Sequence, residues 1–164
     1  MKQPVKYSTY CIIVTIITAI AIASACVYTY RQDSIIPFWI VAVASVSIIV
    51  GALIYAPLSV EVTDSQIKIH RPLRAKTIEL SQIESMHLSL CPPTMAAIRI
   101  CGSGGWFGYW GWFREQDLGK YFAYYGKASD CFLITLRGGR KYIIGCSNPQ
   151  SVISHIKTLL SQRA

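Results

Sequence analysis

The sequence predicts a membrane-anchored α+β protein: a two-helix transmembrane hairpin followed by a β-barrel or sandwich with a C-terminal capping helix. Three observations carry this expectation. Charge is absent from two long apolar runs in the first third of the chain. Beyond them, short stretches of alternating apolar and polar residues are punctuated by Gly, Pro, Asp and Asn. An amphipathic segment with a helix-start signal follows those stretches.

The runs come first. The 164 residues are 52% hydrophobic and 15% charged, against roughly 25% charged in ordinary soluble domains. No charged residue lies between Lys6 and Arg31, or between Asp33 and Glu61. The apolar runs cover 10–30 and 35–56, and about 20 apolar residues cross a hydrocarbon core. A helix of that length packed in a soluble core would carry a polar face, and these carry none. Their polar residues are Ser and Thr, whose hydroxyls bond back to helix carbonyls. The link 31–34 (Arg31, Gln32, Asp33, Ser34) is short enough only for antiparallel neighbours. Pro37 suits a helix start, and Tyr10, Tyr28, Tyr30, Trp39 and Tyr55 suit an interfacial aromatic belt.

Orientation follows from basic residues. Lys2 and Lys6 precede the first run, and His70, Arg71, Arg74 and Lys76 follow the second; the link offers only Arg31. The positive-inside bias places 1–9 and 57–164 in the cytoplasm. Lys2 and Lys6 before an apolar stretch ending Ala23-Ser24-Ala25-Cys26 also resemble a secretory signal with a small-residue cleavage site. Against cleavage, Ala23 stands where a lipoprotein signal usually has Leu, and the apolar run continues past Cys26. Cleavage would leave the domain on the same side, because the second helix would still cross. Six cysteines include no C-x-x-C pair, so neither a zinc ribbon nor a thioredoxin-type site is indicated. Cytoplasmic thiols are expected free.

The soluble domain, 57–164, carries thirteen Lys and Arg against seven Asp and Glu, a formal charge of +6. Leu58, Val60 and Val62 alternate with polar residues, as do Ile67 and Ile69 after a turn at 63–66; this predicts a first hairpin. A third strand begins near Thr77, is interrupted at 80–84, and resumes toward Met86 and Leu88. Pro92-Pro93 ends it, since proline cannot donate to a ladder. Residues 97–101 predict a short strand, 102–113 a glycine-aromatic loop, and 121–125 another strand. Gly138-Gly139 fits a two-residue hairpin turn, which pairs Ile134 with Ile143 and places Cys131 opposite Cys146. Asn148 and Pro149 are an N-cap and a first helical residue. Val152, Ile153, Ile156, Leu159 and Leu160 then form one apolar stripe that would plug the open end of the strands.

About seven strands and a closing helix is the order of a pleckstrin-homology-like (PH-like) barrel. The segment Arg99-Ile-Cys-Gly-Ser-Gly-Gly-Trp-Phe-Gly-Tyr-Trp-Gly-Trp-Phe113, with Leu118-Gly119-Lys120-Tyr121, resembles the glycine-aromatic segment of bacterial PH domains. Lys141-Tyr-Ile-Ile followed by Asn148-Pro149 and a helix resembles the same family's close. The resemblance covers about 58–160. It implies a binding or scaffolding module without enzyme activity or cofactor, joined to transmembrane helices in a bacterial inner membrane. It does not imply phosphoinositide binding.

Two groups are candidate surfaces. His70, Arg71, Arg74 and Lys76 lie close to the second helix, and near an anionic leaflet each basic residue contributes about 1 kcal/mol of attraction. They are read either as a docking surface for membrane lipids or as a topology determinant on a solvated face. Trp106, Phe107, Tyr109, Trp110, Trp112 and Phe113 are read either as a loop gripping headgroups or a protein partner, or as rings folded against the barrel. Glycines 102–105 lack the Lys-Ser/Thr of a phosphate loop. His70, His87 and His155 have no metal-ligand spacing, and no carboxylate pair or nucleophile motif points to catalysis. A membrane surface explains the basic charge without nucleic acid. The expected role is recruitment or regulation of a protein partner; the alternative is sensing of a lipid or small ligand.

Overall fold

The computed structural model describes residues 1–31, 35–88 and 97–162. The expected link at 32–34 and the Pro92-Pro93 stop lie outside the described residues. Helix α1 (Thr9–Tyr30) and helix α2 (Ile35–Tyr55) occupy the two apolar runs and pack against each other. Both are long and apolar enough to cross a membrane. Apolar side chains such as Ile16, Ile20, Ile36 and Ile40 are exposed all around them, which no soluble surface helix tolerates. The hydroxyls behave as expected: Thr15, Thr18, Ser45 and Ser47 donate to the carbonyls of Cys11, Val14, Val41 and Val43.

Ten strands form two sheets among the described residues, where about seven were expected. One sheet has the order β1-β2-β3-β4, from Lys2–Pro4, Ser59–Val62, Gln66–His70 and Ala75–Glu79. The other has the order β5-β9-β10-β8-β7-β6. Its strands are β5 (Ile83–Leu88), β6 (Ile98–Gly105), β7 (Gly108–Glu115), β8 (Gly119–Tyr125), β9 (Cys131–Leu136) and β10 (Lys141–Gly145). Helix α3 (Pro149–Ser161) starts with the Asn148 side chain accepting from Ser151 N at 3.1 Å. The core is built from both sheets: Val60, Ile67, Ile69 and Ile78 face Phe132, Ile134 and Ile144. Val152, Ile153 and Ile156 of α3 close that same core, as the stripe predicted.

The segment before α1 is part of the fold, which the sequence did not show. Lys2–Pro4 pairs antiparallel with β2, Val5 is buried, and Pro4 O accepts from both Ser147 N and Ser147 Oγ. Three residues are too few for periodicity to show a strand. The β9–β10 turn holds three residues, not two: Leu136 N donates to Arg140 O at 2.9 Å, and Gly139 has φ 74°. The register therefore slips by one, so Ile134 pairs with Tyr142 and Cys131 with Gly145. A one-residue slip changes which side chains share a face. Ile134 lies in the sandwich core, whereas Ile143 belongs to a second cluster with Cys131, Phe113, Tyr121 and Tyr125.

The glycine-aromatic segment is no loop. It is the β6–β7 hairpin, turning at Trp106 and Phe107. Its glycines permit close strand approach. Gly102 and Gly111 are directly paired, both at positive φ, and a Cβ on Gly111 would lie 2.2 Å from Cys101 O.

Candidate functional site

The helices are fixed rigidly to the domain. Ser8 N donates to Gly126 O, and the Tyr7 hydroxyl donates to Pro57 O at 2.6 Å. Burial raises the Tyr7 hydroxyl above its ordinary pKa, so it is a permanent donor. At the other end, Leu73 N donates to Leu53 O at 3.3 Å. That carbonyl is one of the four that a helix C-terminus leaves without an intrahelical partner. The β3–β4 turn that carries Arg71 and Arg74 is thereby tied to the last turn of α2.

This tie creates a groove of about 380 Å³ where α2 meets the mouth of the sandwich. Its cationic wall is Arg71, Arg74 and Lys76. Lys76 lies two residues before buried Ile78, on the inward face of β4. Its aromatic wall comes from one face of the six-stranded sheet. Trp112 of β7 pairs with Phe122 of β8, which pairs with Tyr142 of β10. Tyr124 continues this wall. From α2, Tyr55 stacks on Trp110 with centroids 5.4 Å apart, an arrangement worth about 1 kcal/mol beyond area burial.

Arg71 is held in place between two rings, with its guanidinium carbon 5.7 Å from the Tyr55 centroid and 5.6 Å from that of Tyr124. It also donates to Arg74 O at 3.2 Å and to the Tyr124 hydroxyl at 3.4 Å. Burial pushes Tyr124 up to about 12, and Arg71 opposes that shift, so the hydroxyl is neutral. Lys120 adds a fourth cation, 4.6 Å above the Trp112 ring. Among the described residues the ion pairs are His70–Glu61 and Lys127–Asp130. Among the described residues, therefore, no carboxylate forms an ion pair with the three wall cations.

The structure thus joins the two groups that the sequence kept apart. Arg71, Arg74, Lys76 and Trp112 line one groove, and Trp110 supports its rim through Tyr55. His70 is elsewhere: its Nε2 lies 2.6 Å from Glu61 Oε2, and that hydrogen bond lowers the Glu61 carboxyl below its ordinary pKa. Tyr109 stacks on Tyr125 at 4.7 Å, and Phe113 is core. Trp106 and Phe107 form the hairpin tip beside α1. The sequence missed Phe122, Tyr124 and Tyr142 as wall residues. The i, i+2 spacing of Phe122 and Tyr124 was visible, but the parallel β8–β10 pairing that brings Tyr142 to Phe122 leaves no mark in periodicity.

Among the described residues no three of His, Cys, Asp and Glu are placed to hold a metal ion. Cys11, Cys26, Cys101, Cys131 and Cys146 are free thiols. Burial raises the Cys146 thiol to about 11 and also raises Cys131, so neither is an activated nucleophile.

Comparison with known proteins agrees with the fold and with the resemblance. The family model described as "Bacterial PH domain" matches residues 58–160. The chain belongs to the bacterial PH domain family. No curated protein matches it, and no solved structure matches it. A PH-like fold is in general a non-catalytic binding or scaffolding module.

Proposed function

We propose that this chain is a two-span membrane protein that holds its PH domain at the cytoplasmic face of a bacterial inner membrane and recruits or regulates a protein partner there. The observation that carries the reading is the groove of Arg71, Arg74 and Lys76, without an ion pair among the described residues, against a wall of rings and tied to the end of α2. The matching ligand is an acidic, extended segment of a protein. β4 is an edge strand of its sheet and supplies Lys76 to the groove. An added strand would use its free backbone groups and bring carboxylates to the cations. Lys2 and Lys6 support the cytoplasmic orientation by the positive-inside bias.

A second reading is favoured by the position of Tyr55 and Ile54 on the groove wall, where a lipid headgroup would also reach. Reversing two charges, Arg71→Glu with Arg74→Glu, separates the two in the full chain. Loss of a stoichiometric protein from mild-detergent purification supports the first reading. Loss of co-purified anionic lipid, with no protein partner in either form, supports the second.

A further inference from the structure

Strand β6 runs alongside the helical hairpin instead of beneath it. Phe107 N donates to Thr15 Oγ1 at 3.0 Å. A second groove, of about 550 Å³, separates the strand from the helices, with Thr18, Ser47 and Gly51 on one side and Arg99, Ile100 and Trp106 on the other. Beyond Thr18, about 12 residues of α1 remain, or about 18 Å at 1.5 Å per residue. The part of α2 before Ser47 is of similar length. Neither covers a hydrocarbon core of about 30 Å. If the helices span the bilayer, β6 lies within its boundary layer. The surface of the strand and its turn agrees: Ile98, Ile100 and Phe107 are 68%, 51% and 42% exposed.

Resting on that membrane-spanning reading, we propose that this second groove binds an anionic phospholipid of the surrounding leaflet at the level of its phosphate and ester groups. The strand wall offers a cationic donor. Arg99 is exposed and has no carboxylate partner among the described residues. β6 is also a sheet edge among the described residues, and an open edge is not tolerated in bare hydrocarbon. The occupant must bring negative charge and several acceptor oxygens at one end, and apolar length along Ile48 and Ile100 at the other. A phospholipid has that chemistry. A partner's transmembrane helix brings no free acceptors to Arg99, and the space at Gly51, where a Cβ would meet nothing within 4 Å, stays open.

The test uses the full chain with Trp39→Phe and Trp112→Phe, delipidated in mild detergent and titrated with phosphatidylglycerol or phosphatidylcholine brominated near the glycerol end of the acyl chains. Trp106 and Trp110 line the groove, so their emission reports occupancy. Saturable quenching by phosphatidylglycerol at about fivefold lower concentration is expected, the equivalent of one ionic contact of about 1 kcal/mol. Arg99→Gln should remove that preference. Gly51→Leu, which grows into open space, should abolish saturable quenching by both lipids. The Arg71→Glu, Arg74→Glu chain should quench normally, because its charges line the other groove. Equal quenching by the two lipids in the starting chain, or an intact preference in Arg99→Gln, would overturn the proposal. In the chain that keeps Trp39, bilayer reconstitution tests the membrane reading by itself: an unquenched Trp39 would overturn that reading too.

Discussion

Gly102 and Gly111 face each other across β6 and β7, and each sits where the opposing backbone leaves no room for a methyl group. Gly111→Ala combines backbone strain at φ 119° with a clash against Cys101 O. It should destabilise the domain by about 3 kcal/mol, read as a lower thermal midpoint. Wild-type stability would mean that the strands are not in this register. Glu61 and His70 make the other residue-scale prediction. The lowered Glu61 pKa contributes stability that is present above the unfolded carboxylate pKa and lost as pH falls through the folded value. Glu61→Gln should therefore flatten the fall in stability below about pH 4.5 and change its slope little at neutral pH. Urea midpoints across that range would check it.

At the scale of elements, the turn of the β9–β10 hairpin is the clearest case. Gly138 and Gly139 look equivalent in sequence and read naturally as a two-residue turn. In the structure only Gly139 has positive φ, and neither has a neighbour that a Cβ would strike. Gly138→Ala should be nearly neutral, whereas Gly139→Ala should cost about 1 kcal/mol; equal effects would favour the two-residue turn. Much of the rest was legible: both long helices, the hairpin at Val60 and Ile67, and α3 with its cap and stripe. Strong periodicity or unbroken hydrophobicity marks each of them. The β6–β7 hairpin was not legible, because its glycines permit close pairing as readily as they permit a loop. Strand β1 was hidden for another reason: its pairing with β2 is with residues more than fifty positions away.

At the scale of the molecule, the two long helices and the domain are one folded unit. The chain enters α1 from the sandwich through β1 and Val5, and leaves α2 directly into β2. Residues 57–164 alone lack that first strand. They should unfold at a lower temperature than the full chain, and rapid hydrogen exchange in β2 would locate the loss; an unchanged midpoint would mean that β1 contributes nothing. Both candidate surfaces were visible in sequence as separate clusters. Their convergence was not, because it depends on the Leu73–Leu53 tie and on cross-strand register, which are long-range. The positively charged groove is the centre of the functional account. A photo-crosslinking residue at Trp112, in the full chain within its native membrane, tests it most directly. The account predicts a discrete protein adduct that disappears when Arg71 and Arg74 are both replaced by Glu. An adduct that survives that charge reversal, or crosslinks to lipid alone, would contradict it.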